Sequence, residues 1–449
     1  MYGKNNINKV LHTFLLGTES FNKSSTNDGS IHADEVKNDD IIGHGFTRDI
    51  TGRGTIMGNV ININYTGQSS DDLNSLFGFY QNNLFSKTGN TTFLTIQRFN
   101  ENLSITAAHF TDDGNPFSAA FPTFFMSIDE NAVKRRIIRE FEKESLTSAD
   151  QQSLGNILYN YFIPPIIRTY IDGFPPKNLV IVTASEHDIP WELIYDGKDF
   201  WCNKYNMGRV MSEEVGRKKS NYQPFDNTIK IAVISSDPEG KLPSAKTEGK
   251  EIERLLKNES NIAVDVFDER NTSKIDIIKV IIGGNYDVIH YAGHAEFDIV
   301  SPKRSSLKLL DGDLTSEEIA RISFPSNCRP IIFANACSTS KITFTGDKTI
   351  GLASAFVISG ALAFVGTMWP IKDILAANFA SKFYINLKNY TIGESLRKAR
   401  EQLQKDYPYE LPSFFPYALF GDPRHKIRNF NSNEEKQNEQ VVEAVNKSK

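Results

Sequence analysis

Tyr286–Ala295 reads YDVIHYAGHA and Pro330–Ser338 reads PIIFANACS, two apolar runs that each end in a reactive side chain. Val288, Ile289 and Tyr291 lead into Gly293 and His294. Ile331, Ile332 and Phe333 lead into Ala334, Asn335, Ala336 and Cys337. Short β-branched runs bounded by turn residues predict buried strands of a parallel sheet. In open α/β sheets the chemistry sits just beyond the carboxyl ends of the strands. One such end carries a His and another a Cys, which is the composition of a Cys–His nucleophile pair. Gly293 and Ala336 are small and leave room for a substrate backbone. The alternative reading of Cys337 is a buried thiol that acts as a small hydrophobe.

Outward from these stretches, apolar runs alternate with amphipathic segments. Lys230–Ser235, Ala263–Phe267, Asp287–Tyr291, Ile331–Ala334 and Ala361–Thr367 are expected as strands. Ser244–Asn258, Ser273–Ile282, Gly351–Ser359, Ile374–Leu387 and Gly393–Leu403 are expected as helices. Such alternation predicts a mostly parallel sheet with helices on both faces. Thr315 with Glu318 forms a capping box that opens a further helix. Upstream, Thr92–Phe99 and Leu103–Phe110 read as a hairpin, and Ala119–Ser127 as another strand. Glu130–Glu144 and Ser153–Ile163 read as amphipathic helices, and Leu179–Thr183 as a buried strand. Residues 1–50 are polar and expected to be flexible. Residues 51–89 hold a small strand and helix, a hairpin or an adaptor that pairs with another protein. Residues 429–449 are expected to be a disordered tail.

Composition narrows the function classes. The chain has 449 residues, 39% hydrophobic and 23% charged, which suits a soluble globular protein of two or three domain-sized units. A net charge of −5 with interspersed signs gives no nucleic-acid footprint. Ile350–Met368 is the longest apolar run, but Gly360 and Gly366 break it into a helix and a strand, so no membrane span is expected. Val10–Gly17 holds His12 and Thr13 and lacks a small-residue cleavage site, so it does not read as a signal peptide. Cys202, Cys328 and Cys337 cannot make a disulfide framework and suit a reducing cytoplasm. No zinc-type spacing is present, and neither a metal nor a cofactor is expected.

His294 precedes Cys337 by 43 positions, close to the roughly 50 of caspase-type proteases. Five phrases then occur in order: DIPWELIYDG at Asp188–Gly197, HYAGHA at His290–Ala295, NACSTS at Asn335–Ser340, GTMWPIKD at Gly366–Asp373 and YALFGDP at Tyr417–Pro423. Together they resemble the CHAT family, caspase-like domains that also resemble separase. The resemblance implies a caspase-like α/β/α sandwich over residues 223–428, preceded by a smaller α+β, pseudo-protease-like half over residues 90–222. It implies a cysteine endopeptidase with a His294–Cys337 dyad, in which a backbone carbonyl orients the His. The oxyanion donors would be the backbone N–H groups of Cys337 and Ala295. Ala295 stands where the family usually has Gly, so its backbone should keep φ below zero.

For the S1 pocket, the resemblance points to Asn335, two before the Cys, and to Trp369 and Asp373. A carboxylate at Asp373 would favour Arg or Lys at P1. The rival role for Asp373 is to cap its own helix. Trp191 reads as a core anchor. The resemblance also implies a protein substrate, with a pore-forming effector of the gasdermin type among the candidates, an activating partner, and a place in bacterial antiviral defence. The alternative from another class is a catalytically silent module that binds peptides in the same cleft.

Overall fold

Backbone contacts group the chain into two units. The computed structural model describes residues 89–99, 102–111, 123–127, 130–141, 146–183, 188–211, 228–257, 259, 261–268, 272–325, 328–345, 348–408 and 417–427. The expectations for residues 1–88 and 429–449 lie outside these. The first unit takes the described residues up to Lys134 and those of Ile157–Glu186 and Val210–Lys218; the second takes Arg135–Asn156, His187–Arg209 and the described residues from Lys219 onward. The chain therefore passes between the units more than once, rather than dividing at residue 222.

In the first unit, β1 (Thr91–Phe99) and β2 (Asn102–Phe110) form the expected hairpin, and β3 (Thr123–Ser127) pairs antiparallel with β2. Of the next two helices, α1 (Glu130–Phe141) belongs to this unit only as far as Lys134, and α2 (Ser148–Phe162) only from Ile157. After α3 (Pro165–Gly173), β4 (Asn178–Thr183) returns parallel to β1. β4 is buried along its whole length, with Leu179, Val180, Ile181 and Val182 as its apolar centre, and Phe93 and Phe110 meet edge to face at 5.8 Å. All three cysteines belong to the second unit.

The second unit begins its core at the PWE phrase. Trp191 is fully buried, as a core anchor should be. A short helix, α4 (Trp201–Lys204), leads into β5 (Asn206–Met211). The alternating elements then follow: β6 (Ile229–Ser236), α5 (Pro243–Leu256), β7 (Ile262–Phe267), α6 (Lys274–Gly283) and β8 (Val288–Gly293). A small sheet of β9 (Ala295–Glu296), β10 (Ser306–Leu309) and β11 (Gly312–Thr315) leaves β8 and ends in α7 (Ser316–Arg321). The Thr315–Glu318 capping box is present in full. β12 (Ile331–Asn335) carries the Cys phrase. A hairpin of β13 (Ile342–Thr345) and β14 (Lys348–Gly351) precedes α8 (Leu352–Ser359), β15 (Ala363–Thr367), α9 (Asp373–Leu387), α10 (Ile392–Asp406) and β16 (Tyr417–Phe420).

The strand order in this unit is β5-β16-β15-β12-β8-β6-β7. β15, β12, β8, β6 and β7 are mutually parallel and β16 runs against β15. The sheet is thus mixed and mostly parallel, as expected. Period-2 alternation sorts its side chains. Ile331 and Phe333 on β12 and Val365 on β15 face the cluster with Phe379 and Phe383 of α9 and Leu396 of α10. Phe364, between two such positions on β15, stacks with Phe356 of α8 on the opposite face. The run Ile350–Met368 folds as the end of β14, α8 and β15, with the turn at Gly360 taken at φ 109°. Among the described residues no helix is long and apolar enough to cross a membrane.

Candidate active site

From β6 the chain moves out to β7, then crosses to β8, β12 and β15 on the other side. The topological switch point therefore lies between β6 and β8, where open α/β sheets form a crevice. Ser236 pairs with Gly293, and Ala292 pairs with Asn335. Asp237 stands one residue beyond Ser236, His294 one beyond Gly293 and Cys337 two beyond Asn335, so the acid and the thiol leave the sheet from the two strands that flank β8. Gly293 is required for this approach: a Cβ there would lie 2.3 Å from Ser236 O and 2.7 Å from the Tyr291 hydroxyl oxygen.

Cys337 stands in a turn directly after β12 and is half-buried. The next residue, Ser338, has φ 57°, the one positive value for a non-glycine among the described residues. Such a residue is held only where its surroundings determine it, and several bonds do so. Ala336 O accepts from Thr367 Oγ1 at 2.7 Å and from Thr339 Oγ1 at 3.2 Å. Ser340 N–H donates to Thr367 O at 2.9 Å. The turn is thereby fastened to the end of β15.

His294 is fixed through its backbone. Its carbonyl accepts from Lys308 N–H at 2.9 Å and from the Tyr291 hydroxyl at 2.7 Å. The imidazole Nε2 lies 3.5 Å from Asp237 Oδ1, with the ring 27% exposed and the carboxylate 1% exposed. The bond from Lys308 N–H to His294 O also fixes the phase of the β9–β10 ladder. Ala295 and Leu307 oppose each other as a non-hydrogen-bonded pair, so the Ala295 N–H points away from β10. Ala295 is not among the residues with positive φ, so an alanine occupies this position without strain.

The S1 candidates separate. Asn335 is 5% exposed and faces inward: its amide nitrogen donates to Glu248 Oε1 at 2.7 Å and its amide oxygen accepts from Tyr417 at 2.6 Å. A side chain used at both ends inside the core cannot line a pocket, which corrects that assignment. Trp369 is 7% exposed and stacks on Phe141 at 6.0 Å, so it packs the interior. Asp373 is half-buried at the first position of α9, and its Oδ2 accepts from Ser244 N–H at 3.0 Å. It thus caps α5 rather than its own helix, whose N-cap is Lys372.

Sequence reasoning passed over two acids. Asp237 follows β6 by one residue, and its signal was an acid immediately after a buried strand. Glu248, on α5, accepts from Asn335 and lies 2.7 Å from Nε2 of His290. Tyr384 bonds the other ring nitrogen of His290 at 3.2 Å, and Phe333 stacks on that ring at 5.1 Å. His290 is wholly buried and braces β8 from below. The other thiols are sequestered: burial pushes Cys202 up to about 12 and Cys328 up to about 11.

The model of the CHAT domain matches residues 152–429. No curated protein matches the chain. Among solved structures, the crystal structure of the Saccharomyces cerevisiae separase-securin complex at 2.6 angstrom resolution is similar at 10% identity and a TM-score of 0.48, over 85% of this chain and 33% of that chain. The same complex at 3.0 angstrom resolution gives 10% identity and 0.49, over 85% and 32%. A structure described as "Structure of Protease" gives 11% identity and 0.43, over 66% and 76%. The chain spans about a third of the separase chains it matches.

Proposed function

We propose, for a chain that belongs to the CHAT domain family, that it is a cysteine endopeptidase cutting a protein substrate after Arg or Lys. The observation that supports this reading is the parallel register of β8 and β12, whose last pair is Ala292 with Asn335, so that His294 and Cys337 each follow two residues later at adjacent strand ends. The Cys337 thiol passes its proton to the His294 ring, and the thiolate attacks the scissile carbonyl carbon. The carbonyl π pair moves to oxygen, where the N–H groups of Ala295 and Cys337 meet the negative charge. Collapse breaks the C–N bond, and the imidazolium returns the proton to the departing amine. Water then attacks the thioester, gives one proton to His294, and restores the thiol as the acid product leaves.

Asp373 is the S1 acid in this reading. One oxygen is held by Ser244 N–H, which fixes the carboxylate, and the other would meet the P1 cation. A pore-forming protein as substrate, an activating partner and a role in bacterial defence in the cytoplasm complete the proposal. The test is a mixed peptide library digested by the wild type and by Cys337→Ala, with product ends read by mass spectrometry. Cuts after Arg and Lys that vanish in the variant are expected, and Asp373→Ala should abolish the basic preference. A library cut equally by both proteins overturns the reading. An Arg-ended electrophilic peptide that fails to label Cys337 in an uncut reaction favours a peptide-binding module.

A further inference from the structure

We infer that the carboxylate of Asp237 is the positioning group of His294, accepting from its Nε2–H and leaving Nδ1 to face Cys337. A side chain therefore does what a backbone carbonyl was expected to do. The consequence for turnover rests on the endopeptidase reading; the hydrogen bond does not.

Five observations carry it. Nε2 of His294 is buried and has no hydrogen-bond partner among the described residues, which is costly for a ring nitrogen. Asp237 Oδ1 stands 3.5 Å from it, and catalytic hydrogen bonds often run long before substrate binds. Asp237 cannot turn away, because Oδ1 accepts from Lys241 N–H at 2.9 Å and Oδ2 from Leu242 N–H at 3.0 Å. Its charge is not spent on the neighbouring cation either: the Lys241 ammonium pairs with Glu239 at 2.8 Å. The order of strands supplies the direction. Asp237 follows β6, His294 follows β8 and Cys337 follows β12, so the acid and the thiol flank the imidazole.

A carboxylate on Nε2–H fixes the tautomer whose Nδ1 lone pair takes the thiol proton. It also stabilises the imidazolium that results, without itself becoming protonated. The loop leads straight into α5, whose first turn gives Ser244 N–H to Asp373, so one loop and the helix start it leads into hold both the group that orients the base and the proposed S1 acid.

The test uses the full chain. In wild-type protein, proton NMR should show two strongly downfield imidazole N–H resonances. One belongs to the buried His290–Glu248 pair; the other should vanish in His294→Gln and in Asp237→Asn. Alkylation of Cys337 by iodoacetamide should fall about tenfold in Asp237→Asn, and kcat on a cleaved peptide about a hundredfold with KM within about twofold. The asparagine keeps an oxygen for the turn, so a purely structural role would move KM and the melting temperature instead. An Asp237→Asn protein that alkylates and cleaves like the wild type overturns the inference and leaves the endopeptidase reading standing. Should the wild type cut nothing, the N–H resonance and the alkylation rates still decide it. The resonance is a wild-type measurement, so an Asp237 variant that fails to fold does not remove the test; its absence from the wild type overturns the inference.

Discussion

Glu192 and Arg209 meet as a two-pronged ion pair with neither side chain more than 2% exposed. Arg209 Nε donates to Oε1 at 2.9 Å and Nη2 donates to Oε2. Met368 Sδ lies 3.5 Å from the same Nη2, and the Phe420 ring lies under the guanidinium at 5.6 Å. Three of the quoted phrases, PWE, GTMW and YALF, thus converge on one buried charge pair. Removing one partner of such a pair strands the other, at a cost of about 3–5 kcal/mol. Glu192→Ala should lose that much in urea unfolding followed by tryptophan fluorescence. The double variant Glu192→Leu, Arg209→Met should recover most of it, since two apolar groups of similar volume need no partner. Equal losses in the single and double variants would show that packing, not charge, dominates there.

What the sequence revealed follows from how local each signal is. The strands β6, β7, β8, β12 and β15 were legible because each is a short apolar run between turn residues. β5, β16 and the β13–β14 hairpin were not read as strands. β16 has four residues, and only pairing with β15 and Arg209 of β5, far away in the chain, makes it a strand. Asn335 was misplaced although the pattern was available: positions 331, 333 and 335 share one face, and that face is the core. Asp237 lay one residue past a predicted strand. Its meaning depended on knowing that β6 neighbours β8, which strand order alone supplies.

Gly293 sets the spacing between β6 and β8 directly beside His294. A methyl group there has a backbone oxygen 2.3 Å away and the Tyr291 hydroxyl at 2.7 Å, so the strands must part. Gly293→Ala should cost about 1–3 kcal/mol, read as a lower melting temperature. It should also slow alkylation of Cys337, because parting the strands moves His294. A variant with wild-type stability and thiol reactivity would mean that the strands yield there freely.

Thiol counting offers a direct check on which cysteine is available. Cys202 is fully buried and its thiol pushed up to about 12 by that burial; burial likewise takes Cys328 up to about 11. At pH 7 the thiolate fractions of these two are about 10⁻⁵ and 10⁻⁴. Cys337 alone of the three is not buried. Native protein should therefore release one equivalent of chromophore from a disulfide reagent quickly, and the other two after unfolding. Cys337→Ser should abolish the fast equivalent. A fast phase that survives in that variant would place an accessible thiol where the fold has none.

The same buried thiols make the fold sensitive to alkali. Cys202 rises from 9.0 to about 12 and Cys328 from 9.0 to about 11, both chiefly by desolvation. Burial also raises the phenols of Tyr384 and Tyr417 well above their usual range. Below about pH 9 folded and unfolded chains both keep these thiol protons, and the stabilisation is fully present. Between about pH 9 and 12 the unfolded chain gives up protons that the folded chain retains, so unfolding is favoured more with each step in pH. The loss through Cys202 alone reaches about 4 kcal/mol at the top of that window, at about 1.4 kcal/mol per unit. Urea midpoints of the wild type should be level between pH 7 and 8 and fall between pH 9 and 11. Cys202→Ala removes one of the ionising groups, so its midpoint should fall less steeply over the same range, even if its stability at pH 8 is lower. Parallel slopes for the two proteins would mean that Cys202 ionises in the folded chain as readily as in the unfolded one.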